Sequence, residues 1–213
     1  ENQVTEDVVM SMKVATGTAC TRIAKWAFRH ATQREREKIT VFHKANIMKV
    51  TDGLFLKSAR EVHHRDYPNI DYQEVIIDAG CMKLVQDPSQ FDVLLLENLY
   101  GDVVSDLCAG LVGGLGVAPG ANIGNDRAVF EAVHGSAPDL AGKGLANPLA
   151  LLMSAVMMLN YLGNERSDPR CLEVADRIKN AYNGALAAGQ TTRDLGGELS
   201  TDGFANVILE RLE

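Results

Sequence analysis

Asp92-Val93-Leu94-Leu95-Leu96-Glu97-Asn98-Leu99-Tyr100-Gly101-Asp102-Val103-Val104-Ser105-Asp106-Leu107 decides the fold class. The run from position 92 to 96 is almost wholly apolar, which predicts a strand buried on both faces, as in a parallel sheet. Directly after it the period changes. Val103, Val104, Leu107, Cys108 and Leu111 share one stripe at helical spacing. A strand that feeds a helix in this way is the unit of an α/β fold. Asp102 and Asp106 lie one turn apart on the other side of that helix. Their repulsion costs roughly a few tenths of a kcal/mol. A divalent cation such as Mg²⁺ or Mn²⁺, which takes oxygen ligands, would relieve it. The same pair also reads as a solvated acidic face at a helix N-terminus, where the dipole favours Asp.

Outward from this stretch, strand and helix periods alternate. Residues 8–31 read as a helix with Ile23, Trp26, Ala27 and His30 on one face and Gly17 as a weak point. A charged loop at 33–38 precedes a strand at 39–43 and a helix at 51–63. A second strand spans 72–78, and a short helix at 80–85 ends before Pro88. The glycine-rich stretch 113–124 marks the expected boundary between a domain at 1–118 and another at 119–213. Beyond it lie a strand at 128–133, a loop at 134–148 and helices at 149–162, 171–188 and 204–212. Lys44, Asp78 and Asn98 each follow a strand end. Parallel sheets bind ligands outside the carboxyl ends of their strands, so these three side chains are expected to converge. A lysine in such a place is usually solvated; buried, with a lowered pKa, it moves protons.

Composition narrows the function classes. The chain has 213 residues, enough for one large domain or two small ones, with 46% hydrophobic and 23% charged residues. A net charge of −7 argues against nucleic acid or an anionic membrane as the main partner. The longest apolar run, 149–159, is interrupted by Ser154 and too short to span a bilayer. The acidic, polar start carries no signal-peptide pattern, and a first residue of Glu rather than Met reads as a piece of a longer chain. Cys20, Cys81, Cys108 and Cys171 are far apart and read as reduced core thiols.

Several motifs fail on spacing. Gly114, Gly116 and Gly120 give G-x-G-x-x-x-G after a helix, whereas a Rossmann fingerprint follows a strand. Gly142-Lys143-Gly144 lacks the Ser or Thr of a P-loop. His63-His64 lacks an acidic partner at ligand spacing and reads as a surface pair.

Four segments in combination resemble the β-decarboxylating dehydrogenases, the family of isocitrate, homoisocitrate and 3-isopropylmalate dehydrogenases. They are His43-Lys44-Ala45-Asn46-Ile47-Met48-Lys49, Asn98-Leu99-Tyr100-Gly101-Asp102 with Ser105-Asp106, His134 to Lys143, and Asp194-Leu195-Gly196-Gly197. Ile47-Met48-Lys49, Asp52 to Leu56 and Tyr100 are most similar to the NAD-dependent isocitrate dehydrogenases of mitochondria and bacteria. Gly144-Leu145-Ala146-Asn147-Pro148 is as similar to the homoisocitrate and isopropylmalate enzymes. The resemblance implies a partial dehydrogenase fold of this family: a small, dimer-forming domain and the C-terminal part of a large one. It implies oxidative decarboxylation of a 2-hydroxy acid with NAD and Mg²⁺ or Mn²⁺, in the mitochondrial matrix or a bacterial cytoplasm.

Residue by residue, it implies metal ligation by Asp102 and Asp106 of one protomer, joined by Asp78 of its partner. It implies a catalytic Lys44 lent across the dimer, with Asn46 beside it, in a homo-oligomer with shared sites. It implies a cofactor loop of His134, Gly135, Ala137 and Asn147. Asp139 and Leu140 stand where NADP-using relatives place Lys and Tyr; a carboxylate there accepts from ribose hydroxyls and repels a 2′-phosphate, which favours NAD. The family's serine and arginines that clamp the substrate carboxylates, and its catalytic tyrosine, have no counterpart here. Glu97 replaces a usually uncharged residue, and Gly17 a frequently charged one. A regulatory subunit without catalysis is the alternative of another class; retention of Asp78, Asp102 and Asp106 argues for the catalytic one.

Overall fold

The computed structural model of the protein describes residues 2–212. The chain divides after Leu107 into two compact units. The division falls inside a helix, ahead of the glycine-rich stretch expected to mark it, because those glycines fold into turns that pack within the second unit.

The first unit opens with an antiparallel hairpin, β1 (Asn2–Thr5) and β2 (Val8–Met10), exposed along its whole length. The helix expected from residue 8 starts only at α1 (Gly17–Gln33). Thr16 decides that start: its backbone is extended and its hydroxyl accepts from the Ala19 N–H at 3.3 Å. Gly17 is therefore the first helical residue, not a break. The buried face of α1 is Cys20, Ala24, Ala27, Phe28 and Ala31, while Ile23 is exposed and Trp26 stacks on His30 at its flank.

The sheet is parallel, in the order β4-β3-β5, with β3 (Lys38–His43), β4 (Asp71–Ile76) and β5 (Val93–Leu95). Central β3 is buried on both faces, as a parallel strand should be. Ile39 and Val41 pack in one core with α1, Leu95, and Phe55, Leu56, Ala59 and Val62 of α2 (Thr51–Asp66). Phe42, facing the other way, meets Phe91 edge-on and lies against Gly80 of α3 (Ile77–Gln86). His63 is not a surface residue. It stacks on Phe28 and Tyr72, and its Nε2 lies 2.8 Å from the Ile70 carbonyl oxygen. The helix α4 (Asn98–Val112) follows β5 and crosses the division.

The second unit holds the hairpin β6 (Pro119–Ile123) and β7 (Ala128–Ala132) and three helices, α5 (Leu149–Arg166), α6 (Pro169–Ala187) and α7 (Thr201–Glu210). Leu149, Val156, Ala175, Ala181, Tyr182, Ala185, Phe204 and Ile208 form its core. Buried Ser154, which interrupts the apolar run of α5, ties that helix to the hairpin. Its hydroxyl accepts from the Gly120 N–H at 3.2 Å and lies 2.7 Å from the Glu131 carbonyl oxygen. No described helix is long and apolar enough to cross a membrane. No disulfide joins the four cysteines, and of the expected core thiols only Cys20 is buried; Cys81, Cys108 and Cys171 are half-buried.

Contact across the sheet of the first unit is close enough to test. A Cβ on Gly80 would lie 2.5 Å from the Phe42 ring, whereas one on Gly53 of α2 meets nothing within 4 Å. Overpacking costs about 1–3 kcal/mol and helical Gly→Ala gains up to about 1 kcal/mol. Urea unfolding should show Gly80→Ala destabilised and Gly53→Ala neutral or stabilised. Equal effects would show that the Phe42 contact is not tight.

Candidate active site

Because β3, β4 and β5 run parallel, their carboxyl ends share one edge. Lys44 is the first residue beyond β3. Asp78 does not end a strand as expected; β4 stops at Ile76, and Asp78 is the second residue of α3. The two nonetheless meet, with Lys44 Nζ donating to Asp78 Oδ1 at 2.7 Å. The Lys44 ammonium first, and then backbone N–H groups at the start of α3, hold the Asp78 carboxyl below the usual carboxylate range. That side chain is 67% exposed, so the pair adds little to stability and leaves a carboxylate open to a ligand.

The backbone around Lys44 is fixed more firmly than its tip. The Lys44 carbonyl accepts from the Ile47 and Met48 N–H groups at 2.9 and 2.8 Å, closing a turn that leaves Asn46 exposed. The Lys44 N–H donates to Asp52 Oδ2 at 2.7 Å. Asp52 is buried, and its Oδ1 accepts from Lys13 Nζ at 2.6 Å. Lys13 also pairs with Glu97 at 2.7 Å and lies over the Tyr100 ring, 4.6 Å from its centroid. Glu97, without explanation in the sequence, is thus a partner of Lys13. Burial pushes the Asp52 carboxyl up, but the Lys13 ammonium and the Lys44 N–H outweigh it and hold it below the ordinary range. Lys13, Asp52, Glu97 and Asn98 line one cavity of about 410 Å³, and neither Lys44 nor Asp78 is among its lining residues. The structure thus brings Lys44 to Asp78 and leaves Asn98 with Lys13 and Asp52 instead.

Asp102 and Asp106 are exposed, in the second and third turns of α4. The helix begins four residues before Asp102, beyond the reach of the N-terminal dipole, which weakens the reading of this pair as a helix-start preference. Among the described residues no three His, Cys, Asp or Glu side chains gather as a metal site. One chain brings Lys44 to Asp78 and holds Asp102 and Asp106 as a separate pair.

In the second unit, β7 leads into an exposed loop that contains His134, Gly135, Ala137, Asp139 and Leu140. His134 Nδ1 lies 3.0 Å from the Gly135 carbonyl oxygen, and Ala137 takes a positive φ of 40°. The Leu140 N–H donates to the Ala137 carbonyl at 2.8 Å, which folds the loop tip. The far end is anchored. Thr201 at the start of α7 donates its N–H to the Gly144 carbonyl at 2.9 Å and its hydroxyl to that of Ala146. Asn147 donates to Asp194 Oδ2 at 2.9 Å and accepts from the Leu149 N–H at 3.0 Å. Asp194 was legible only as part of a motif, and its hold on Asn147 was not. A Cβ on Gly116 would lie 2.7 Å from the same Asp194 oxygen, so this glycine serves packing, not phosphate binding.

A sequence model of the isocitrate/isopropylmalate dehydrogenase family matches residues 1–208. The whole chain is 52% identical to the mitochondrial isocitrate dehydrogenase (NAD) catalytic subunit 5 of Arabidopsis thaliana, covering 55% of it. It is 51% identical to a mitochondrial regulatory subunit of isocitrate dehydrogenase (NAD) from Dictyostelium discoideum, covering 58% of it. The crystal structure of isocitrate dehydrogenase from Methylococcus capsulatus matches with a TM-score of 0.88 at 46% identity, over 95% of this chain and 58% of that one. The chain thus spans a little over half the length of these relatives.

The Lys13–Asp52 pair carries a pH signature. The Asp52 carboxyl is depressed in the folded chain, so its stabilisation is present above the unfolded value near 3.8 and is lost as pH falls through the folded one. Lys13 shifts up although burial pulls it down, because Asp52 and Glu97 outweigh that. Its contribution is present below its unfolded value of 10.5 and is lost as pH rises through the folded one. In urea titrations from pH 7 downward, the stability gap between the parent and Asp52→Asn should narrow as pH falls below about 4. Parallel curves would show that this carboxylate does not set the acid limb.

Proposed function

Because the chain belongs to the isocitrate/isopropylmalate dehydrogenase family, we propose that it forms the lysine- and metal-bearing part of an enzyme. That enzyme oxidises and decarboxylates isocitrate to 2-oxoglutarate with NAD. The observation that carries the reading is the Lys44–Asp78 pair at the carboxyl edge of the sheet, with Asp102 and Asp106 left exposed on α4. Identity does not separate a catalytic from a regulatory subunit, since the two named relatives are matched almost equally. Retention of Lys44, Asp78, Asp102 and Asp106 favours catalysis.

The donor set is all carboxylate oxygen, which suits a hard divalent cation such as Mg²⁺ or Mn²⁺. Asp102 and Asp106 of one chain and Asp78 of a second would hold it. Bound there, it supplies Lewis-acid polarisation of the substrate oxygen. Lys44 moves the proton of the 2-hydroxyl as C2 is oxidised. Asn46, exposed in the same turn, orients substrate beside the nicotinamide. His134, Gly135, Ala137 and Asn147 embrace the adenosine half of NAD, with Leu140 beside them. Asp139 accepts from the ribose hydroxyls and disfavours a 2′-phosphate.

A second chain is required by this arrangement, and the first unit offers apolar surface for one. Met82 and Val85 of α3, Leu99 and Val103 of α4, and Val4 and Val9 of the hairpin are all exposed. Two chains of this kind would share two sites through an isologous contact. The Arabidopsis and Dictyostelium relatives are mitochondrial, which fits the same reading.

In the assembled enzyme containing this chain, isocitrate with NAD should be turned over in preference to homoisocitrate, 3-isopropylmalate or NADP. Asp106→Asn should lower turnover at limiting Mg²⁺ by at least about 100-fold, beyond what loss of an outer metal partner causes, with thermal unfolding unchanged. Full activity of that variant refutes the metal assignment. An assembled parent with no turnover of its own, but with an effect on a companion chain, supports the regulatory reading instead.

A further inference from the structure

We propose that Asp52 is the positioning residue of Lys44: its buried carboxylate, clamped by Lys13, fixes the lysine's backbone amide and thereby the point from which its ammonium group reaches. The inference rests on the reading of Lys44 as catalytic.

Asp52 is the second residue of α2. A carboxylate there ordinarily faces solvent and satisfies N–H groups of its own first turn. This one is 2% exposed and reaches back to the end of β3 instead. Its Oδ2 takes the Lys44 N–H at 2.7 Å, the first amide beyond the strand. An ionised acceptor makes the stronger kind of hydrogen bond, and a partly buried amide without one would be costly. The other oxygen accepts from Lys13 Nζ at 2.6 Å and from the Thr51 hydroxyl at 3.3 Å. Lys13 is what makes a charge tolerable in this place, since an isolated buried carboxylate would neutralise itself.

Everything else about Lys44 points to its backbone as the fixed part. Its carbonyl closes the turn through Ile47 and Met48, and the next amide, of Ala45, donates to His43 Nδ1 at 3.0 Å. The Nζ–Asp78 contact is made to a mostly exposed partner, a weak restraint in water. A flexible four-carbon stem is aimed mainly by where its Cα stands, and Asp52 sets that through the adjoining amide. A displacement of about 1 Å at a reacting group costs on the order of 100-fold in rate.

The test separates hydrogen bond from charge. In the assembled enzyme, Asp52→Ala should lower kcat about 10- to 100-fold with KM for isocitrate changed less than about twofold. Asp52→Asn keeps one oxygen for the Lys44 N–H and puts an NH2 group in place of the other, so the ion pair with Lys13 and the hydrogen bond from Thr51 are lost. It should recover kcat to within about threefold of the parent although it unfolds at lower temperature. Hydrogen exchange at the Lys44 amide should be slow in the parent and in Asp52→Asn, and fast in Asp52→Ala. If Asp52→Ala does not fold, the parent and Asp52→Asn decide alone. Fast exchange in the parent overturns the proposal, as does a kcat in Asp52→Asn as low as that of Lys44→Ala with the amide still protected. An active Lys44→Ala enzyme overturns the reading of Lys44 itself, and with it any catalytic role for Asp52, whatever the exchange rates.

Discussion

The central place of β3, paired in parallel with β4 on one side and β5 on the other, is the constraint on which the site depends. Three parallel strands put three carboxyl ends on one edge, and each end delivers a different group. β3 delivers Lys44, β4 turns into the helix that presents Asp78, and β5 leads into α4 with Asp102 and Asp106. Burial of Ile39, Thr40, Val41 and Phe42 holds that strand from both faces. The backbone at that edge is thus anchored by the core beneath it, while the Asp78, Asp102 and Asp106 side chains stand open to solvent.

The fold class was legible because its signal is local. An apolar run of strand length followed by a helical period needs no knowledge of distant residues, and the parallel sheet and its helices appear where that pattern puts them. Errors arose where one residue outweighs a pattern. Thr16 caps α1 and the chain before it holds an exposed hairpin, so a helix read from residue 8 begins at Gly17. Asp78 looked like the end of a strand because Ile76 and Ile77 continue its apolar run, yet α3 starts at Ile77. His63 looked solvated because its stacking partners are Phe28, 35 positions earlier in number, and Tyr72 across the core.

The candidate site was legible in its outermost residues and silent in its supports. Lys44, Asp102 and Asp106 stand in short motifs with recognisable spacing, and Asp78 closes an apolar run. Asp52 and Lys13 are 39 positions apart, Asn147 and Asp194 are 47 apart, and no periodicity links either pair. Only folding brings them together. The two supports act alike in the two units: a carboxylate behind the working segment takes a hydrogen bond from it, Asp52 from the Lys44 amide and Asp194 from the Asn147 side chain. Glu97 belongs to the same class. Its charge, unexplained beside its neighbours in sequence, has Lys13 as its partner in space.

A site completed by two chains is the central claim, and complementation between variant chains tests it most directly. Lys44→Ala and Asp102→Asn enzymes, each inactive, would be mixed in equal amounts and reassembled. If Lys44 serves the neighbour's site, each mixed dimer regains one intact site. About a quarter of the parent activity should then return, since half of randomly formed dimers are mixed. No recovery, with exchange of chains demonstrated, would place Lys44 and Asp102 in the same chain's site and contradict the shared arrangement.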